Sequence, residues 1–150
     1  MYRNPIPFEK IHEAWSALAD GRVEIAPGST EAEGSATVTS SSREKSYKVT
    51  WRDQGSVFTS DDSATFWRGY PGYPVIAVLM KQGRIPFDSA VAGKYKGINW
   101  TELNARHKRD YAAALAEVER ERGIDASESE KAAQSAYDSL MQLPITLKRK

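Results

Sequence analysis

The sequence predicts an α+β fold: an N-terminal helix, a four-stranded antiparallel meander, a short central helix, and a C-terminal two-helix hairpin packed on the sheet. Three observations lead there. Tyr47, Val49 and Trp51 alternate with Lys48 and Thr50, as a half-buried strand does. Trp100, Leu103, His107, Tyr111, Leu115 and Val118 recur at gaps of three and four, as one helix face does. Between these regions lies the only long apolar run, Val75–Met80, framed by Gly69, Pro71, Gly72 and Pro74 before it and by Gly83 and Pro86 after it.

The first helix starts near Phe8, after an irregular lead-in (1–7) in which Pro5 and Pro7 block helix formation. Phe8, Ile11, Trp15, Leu18 and Ala19 share its inner face, and Gly21 is its expected stop. Residues 22–59 then read as four strands. Val23 and Ile25 alternate with charged neighbours, 27–34 is a polar loop, and Ala36 and Val38 alternate with threonines. Ser40–Glu44 turns the chain into Tyr47–Trp51, and Asp53-Gln54-Gly55 returns it as Ser56–Thr59. Such a sheet keeps one wet face and needs a cover for the other.

Ser60-Asp61-Asp62-Ser63 offers side-chain acceptors for the free N–H groups of a helix start. The central helix should begin at Pro74, since proline suits a first turn, and end at Gly83. Residues 89–97 show no clear period and read as a mobile loop. Asn99 with Glu102 forms a capping box that opens one helix running to Gly123, about 35 Å long. Ser127 with Glu130 opens the last helix, with Ala133, Ala136, Tyr137 and Leu140 inside, and Pro144 stops it. The basic tail 145–150 is expected to fray.

At 150 residues, with 40% hydrophobic and 27% charged residues, the chain reads as one domain (1–150) able to bury a core. The formal net charge of +1 gives no global field toward nucleic acid or membrane, so any such binding needs a local patch. The absence of cysteine excludes disulfides, thiolate catalysis and cysteine-ligated metals, and fits a cytoplasmic protein. The opening residues carry prolines and charges where an export signal needs an apolar run, and Val75–Met80 is far short of the roughly 20 residues that span a bilayer. No cofactor, metal site or membrane contact is expected.

The chemistry-bearing segments each have a structural and a functional reading. Trp67, Arg68, Tyr70 and Tyr73, around a Gly-Tyr-Pro-Gly-Tyr-Pro turn, would grip a ligand or a partner protein through rigid aromatic area, or the tyrosines would cap the core. Aromatic and basic residues interleave at 47–52 and 66–70, a mixture that serves single-stranded nucleic acid; Lys48, Arg52, Arg106, Lys108 and Arg109 are the cations of that reading. Strand periodicity puts Lys48 and Arg52 opposite Tyr47 and Trp51, which favours an ordinary half-buried strand. The run Arg106–Arg109 lies in a helix, where successive residues diverge by about 100°, with Asp110 expected to pair with Arg106. His12 and His107 lack a local nucleophile, and Asp61-Asp62 reads as a helix cap before it reads as a Mg²⁺ site.

The leading expectation is therefore a binding or protein-interaction module, not an enzyme, using the turn at 66–74 and the loop at 89–97. A single-stranded nucleic-acid-binding domain is the alternative. A small enzyme built on carboxylates and His107 is the third reading.

Overall fold

Helix α1, Lys10–Ala19, forms where the apolar spacing requires it, and Gly21 ends it in a left-handed conformation (φ 68°). The computed structural model describes Tyr2 and residues 4–150; Met1 and Arg3 of the expected lead-in lie outside the described residues. The rest of that lead-in takes no regular structure. It is nonetheless pinned, with Ile6 buried and its carbonyl accepting from the Tyr137 hydroxyl at 2.8 Å.

Strands β1 (Val23–Ile25), β2 (Gly34–Thr39), β3 (Ser46–Arg52) and β4 (Val57–Ser60) make the antiparallel meander in sequence order. Register follows the hydrophobic pattern: Val23 faces Val38, Ala36 faces Val49, and Trp51 faces Phe58. All six are buried, so one face of the sheet is core. The opposite face carries Glu24, Thr37, Lys48 and Arg52, all exposed, with Thr50 and Thr59 bonded hydroxyl to hydroxyl between them. The β3–β4 turn holds Asp53, Gln54 and Gly55 all at positive φ, a conformation that two of the three adopt without being glycine.

After Ser60 the chain makes a wide π-helical turn, Ala64–Arg68, and then helix α2, Tyr73–Lys81, with Pro74 in its first turn. Val75–Met80 are buried on every side, because α2 is sandwiched between α1 and strands β1, β3 and β4. A helix apolar all round belongs in such a place. Each of its large aliphatic side chains contributes about 1.5–3 kcal/mol by leaving water.

Beyond α2 the chain departs in several places from what its sequence predicts. Residues 89–97 are not a mobile loop. Helix α3, Ser89–Gly93, is capped by Asp88, whose carboxylate accepts from the Ala90 and Val91 N–H groups. Val91, Ala92 and Tyr95 are buried behind it. The segment is fixed from α1, since Ser16 Oγ donates to the Tyr95 carbonyl at 2.5 Å and in turn accepts from the Trp100 indole at 2.8 Å.

The long helix expected from Asn99 to Gly123 is two, α4 (Trp100–Arg106) and α5 (Tyr111–Arg122). Lys108 and Arg109 take left-handed conformations between them, and the Arg109 N–H closes back on the Asn104 carbonyl at 2.8 Å. That is a Schellman-type helix end without glycine. Asp110 does not pair with Arg106. It caps α5 by accepting from the Ala113 N–H at 3.0 Å.

The C-terminus, expected to fray, instead adds strand β5, Thr146–Lys148, parallel to β4. The sheet is therefore five-stranded and mixed. Before β5, helix α6 (Ala126–Gln142) takes its cap from Asp125 and not from Ser127, and packs against α1 and α3. Its buried positions include Ala133, Ala136 and Leu140. Among the described residues no helix is long and apolar enough to cross a membrane.

Candidate functional site

Among the described residues the most exposed large hydrophobic side chain is Trp67, 65% exposed, on the π-helical turn. A π turn is rare, and where it occurs it is often found at functional positions. Its wider coil puts Phe66 and Trp67 side by side, ring centroids 4.8 Å apart and edge to face. Arg149, one residue beyond β5, completes the group. Its guanidinium lies 5.3 Å from both ring centroids, and its Nε donates to the Phe66 carbonyl at 2.9 Å. On the other side Asn4 donates to the Arg68 carbonyl at 2.5 Å. The aromatic ridge is thus held from both ends of the chain.

Phe66 and Arg149 form the wall between two open clefts. The larger, about 340 Å³, is lined by Tyr2, Thr65, Gly69, Thr146 and Lys148 among others. The smaller, about 180 Å³, is lined by Lys48, Thr50, Thr59, Ser60 and Asp61 on the wet face of the sheet. Hydroxyls and cations line both, and Ile145 and Leu147 add apolar surface to the larger. Asp61 is the carboxylate in this group, and one of its oxygens already accepts from the Lys48 backbone N–H at 2.9 Å.

A buried polar network supports the ridge from beneath. Asp62, 5% exposed, accepts from the Ser60 hydroxyl with one oxygen and from the Thr65 N–H with the other at 3.1 Å. The Thr65 hydroxyl accepts from the Gly72 N–H at 3.0 Å. Gly72 is required here for space alone, because a Cβ at that position would collide with the Asp62 carboxylate. Asp62 therefore caps the turn, whereas Asp61 binds the Lys48 N–H of β3 and does not.

The residues expected to serve a site separate into groups. Trp67 and the half-buried Arg68 belong to the ridge, and Lys48 reaches it through the smaller cleft. Arg52 shares the wet face and sits 3.8 Å from Asp53. Tyr70 does not face outward: it is 4% exposed, and burial pushes its phenol above the ordinary range. Tyr73 is half-buried edge-on against Tyr47, its phenol also pushed up by burial. The tyrosines cap the core, as the structural reading of the turn has it.

Arg106, Lys108 and Arg109 line neither cleft. They belong to the α4–α5 elbow. Glu117 accepts from Arg106 Nη2 at 2.6 Å and from His107 Nε2 at 2.9 Å, and the histidine bond leads in holding that carboxyl below its usual range. This clamp closes the elbow. The cleft beside it is lined by Asn99, Glu102, Arg106, Glu117, Glu121 and Arg122 among others, and His107 is not part of its wall. Among the described residues no three histidine, aspartate or glutamate side chains gather as a metal site would need.

Sequence reasoning missed Arg149, and with it the clefts. The signal was the period-two pattern of Ile145, Thr146, Leu147 and Lys148, which marks a strand and not a tail.

Neither the curated proteins nor the solved structures contain a match to this chain. A family model does match, over residues 3–146, and it spans the π turn, the whole helical layer and the start of β5. The chain belongs to the family described as "Uncharacterised conserved protein UCP014422".

Proposed function

We propose that this chain is a binding module whose contact surface is the Phe66–Trp67–Arg149 ridge with the two clefts beside it. The observation that carries the reading is the exposure of Trp67 on a turn fixed by buried hydrogen bonds and by both chain ends. A large ring left in water on a rigid mount loses little entropy on binding, which is what makes aromatic anchors effective. The surface differs from the one the sequence suggested. It keeps Trp67 and Arg68, gains Phe66 and Arg149, and leaves out Tyr70, Tyr73 and 89–97. A cytoplasmic setting accompanies this reading, supported by the cysteine-free composition.

The test is capture with the tagged full chain, reading both protein and nucleic acid retained. Trp67→Ala and Arg149→Ala should release what the wild type holds while unfolding at nearly the same temperature. A control with Lys108→Ala and Arg109→Ala should retain it. Equal retention by all variants would remove the ridge as the contact surface.

A further inference from the structure

We propose that the ligand of this surface is single-stranded nucleic acid, with a base stacked on Trp67 and the backbone phosphates crossing Lys48, Lys148 and Arg149. This rests on the reading of the ridge as the binding surface and names what it binds.

The charge distribution comes first. The whole chain is nearly neutral, yet Lys48, Lys148 and Arg149 line the two clefts, with Arg68 beside Trp67 and Lys150 beside Arg149. The facing carboxylate, Asp61, is already hydrogen-bonded to backbone. Asp62 is buried and bonded through both oxygens. A hydrogen bond does not remove a carboxylate's charge, but five cations (Lys48, Arg68, Lys148, Arg149 and Lys150) outnumber these two, so the local balance is positive although the global one is near zero, and it suits a polyanion.

The surface chemistry comes second. Around the ridge the open sheet face presents Thr37, Thr50, Thr59, Thr146 and the aliphatic stems of its lysines. A stable protein–protein interface has an apolar, well-packed centre. Here the apolar part is small, the two rings with Ile145 and Leu147 in the larger cleft, and the rest of the lining is mostly hydroxyl and cation, with Asp61 the one carboxylate. Hydroxyls and cations at strand spacing satisfy sugar and phosphate oxygens, and a ring satisfies a base.

Geometry comes third and selects single strands over duplex. The ridge stands on a sheet flank between two clefts lined mainly by strand and turn residues, a concave surface and not the helix or ribbon that enters a groove. An indole can stack only on a base that has left its own stack, which is the situation in a single strand. Arg149, already over both rings, adds a planar cation beside the indole.

The experiment is a fluorescence titration of the full chain with labelled oligo-dT and oligo-U of about ten nucleotides, within the usual range of site sizes. A duplex of the same length and a poly-glutamate peptide serve as competitors. Salt is varied from about 50 to 200 mM. The expected result is saturable binding of the single strand, weakened roughly tenfold or more by Trp67→Ala. Lys148→Ala should instead lower the slope of log affinity against log salt by about 0.7, one phosphate contact. Trp67→Phe should restore most of the affinity, since a smaller ring still stacks.

Absence of single-strand binding at the lowest salt overturns the proposal. So does binding that Trp67→Ala leaves unchanged, or that duplex or poly-glutamate competes for equally well. Failure here is distinguishable from failure of the binding-module reading. If oligonucleotides do not bind but Trp67→Ala still releases a captured protein, the surface stands and its ligand is protein. If Trp67→Ala changes neither assay, the surface itself is wrong.

Discussion

Acid should destabilise this protein through His12 before its carboxylates are titrated. The imidazole is 1% exposed, ringed by Phe8, Trp15 and Tyr95 at centroid distances of 5.6, 4.9 and 5.3 Å. Burial pushes it from an ordinary value of 6.5 down to about 4. In the unfolded chain it takes a proton near 6.5, whereas in the native state it stays neutral. Between those values the unfolded state binds one more proton, so stability rises with pH there and falls as pH drops from 6.5 toward 4. The slope is about 1.4 kcal/mol per pH unit, and the whole window amounts to about 3 kcal/mol. The assay is urea unfolding at a series of pH values for the wild type and His12→Gln, which cannot titrate. At neutral pH the variant should be less stable by roughly 1–3 kcal/mol, because the glutamine fills the ring cage poorly. That gap should close as pH falls to 4, by about the 3 kcal/mol the histidine loses. Carboxylates and His107 are common to both proteins and cancel in the difference. Tyr95, whose phenol burial pushes up, does not titrate in this range. A gap independent of pH would mean that His12 is protonated in the native state, and the burial argument would fail.

Gly72→Ala should cost roughly 2–4 kcal/mol in thermal or urea unfolding, since the new methyl displaces a buried, hydrogen-bonded carboxylate; a loss below about 0.5 kcal/mol would show that the network can relax. Tyr70→Ala should destabilise by roughly 3 kcal/mol and Tyr73→Ala by less, with ligand affinity per folded molecule unchanged in both; a selective loss of affinity would return those tyrosines to the binding surface. Glu117→Gln should speed amide exchange at 107–110 while leaving 111–122 protected, because the carboxylate ties the elbow to α5 through Arg106 and His107.

The parts of this fold that were legible in sequence are those whose signal is local. Strand β3 announced itself because Val49 and Trp51 face the core while Lys48 and Arg52 face water, and the register of β1–β4 followed from that alternation. Helix α2 was legible because an apolar run between proline and glycine has few other outcomes. The elbow at 107–110 was not, since the apolar period continues through it and no glycine or proline marks the break. What breaks the helix is Asp110 competing for the next N–H groups. Helix α3 was lost because five residues carry too little periodicity, although Asp88 was present as a cap. Strand β5 depends on pairing with a strand far away in the chain, and three residues cannot advertise that locally. For the site, the residue types at 66–68 were visible, but which tyrosines turn inward was not. Gly-Tyr-Pro-Gly-Tyr-Pro has no periodicity to assign faces, and the ridge needs Arg149 from the other end of the sequence.

That dependence couples ligand binding to the docking of the C-terminal strand. The last carbonyls of a helix have no partner within it, and two of them on this turn, Phe66 and Arg68, take donors from outside: Arg149 and Asn4. Arg149 reaches Phe66 because β5 pairs with β4, Leu147 opposite Phe58 and Lys148 opposite Thr59. If β5 lifts away, the Phe66 carbonyl loses its donor, both rings lose their guanidinium, and the wall between the two clefts disappears. A ligand that needs the ridge therefore binds only the docked form. By mass action it stabilises β5 by RT ln(1 + [L]/Kd), about 2.7 kcal/mol at a hundredfold excess over Kd. Amide exchange at 146–148 should slow when the ligand is present and stay fast in Trp67→Ala, while exchange in β1, at the far edge of the sheet, should not respond.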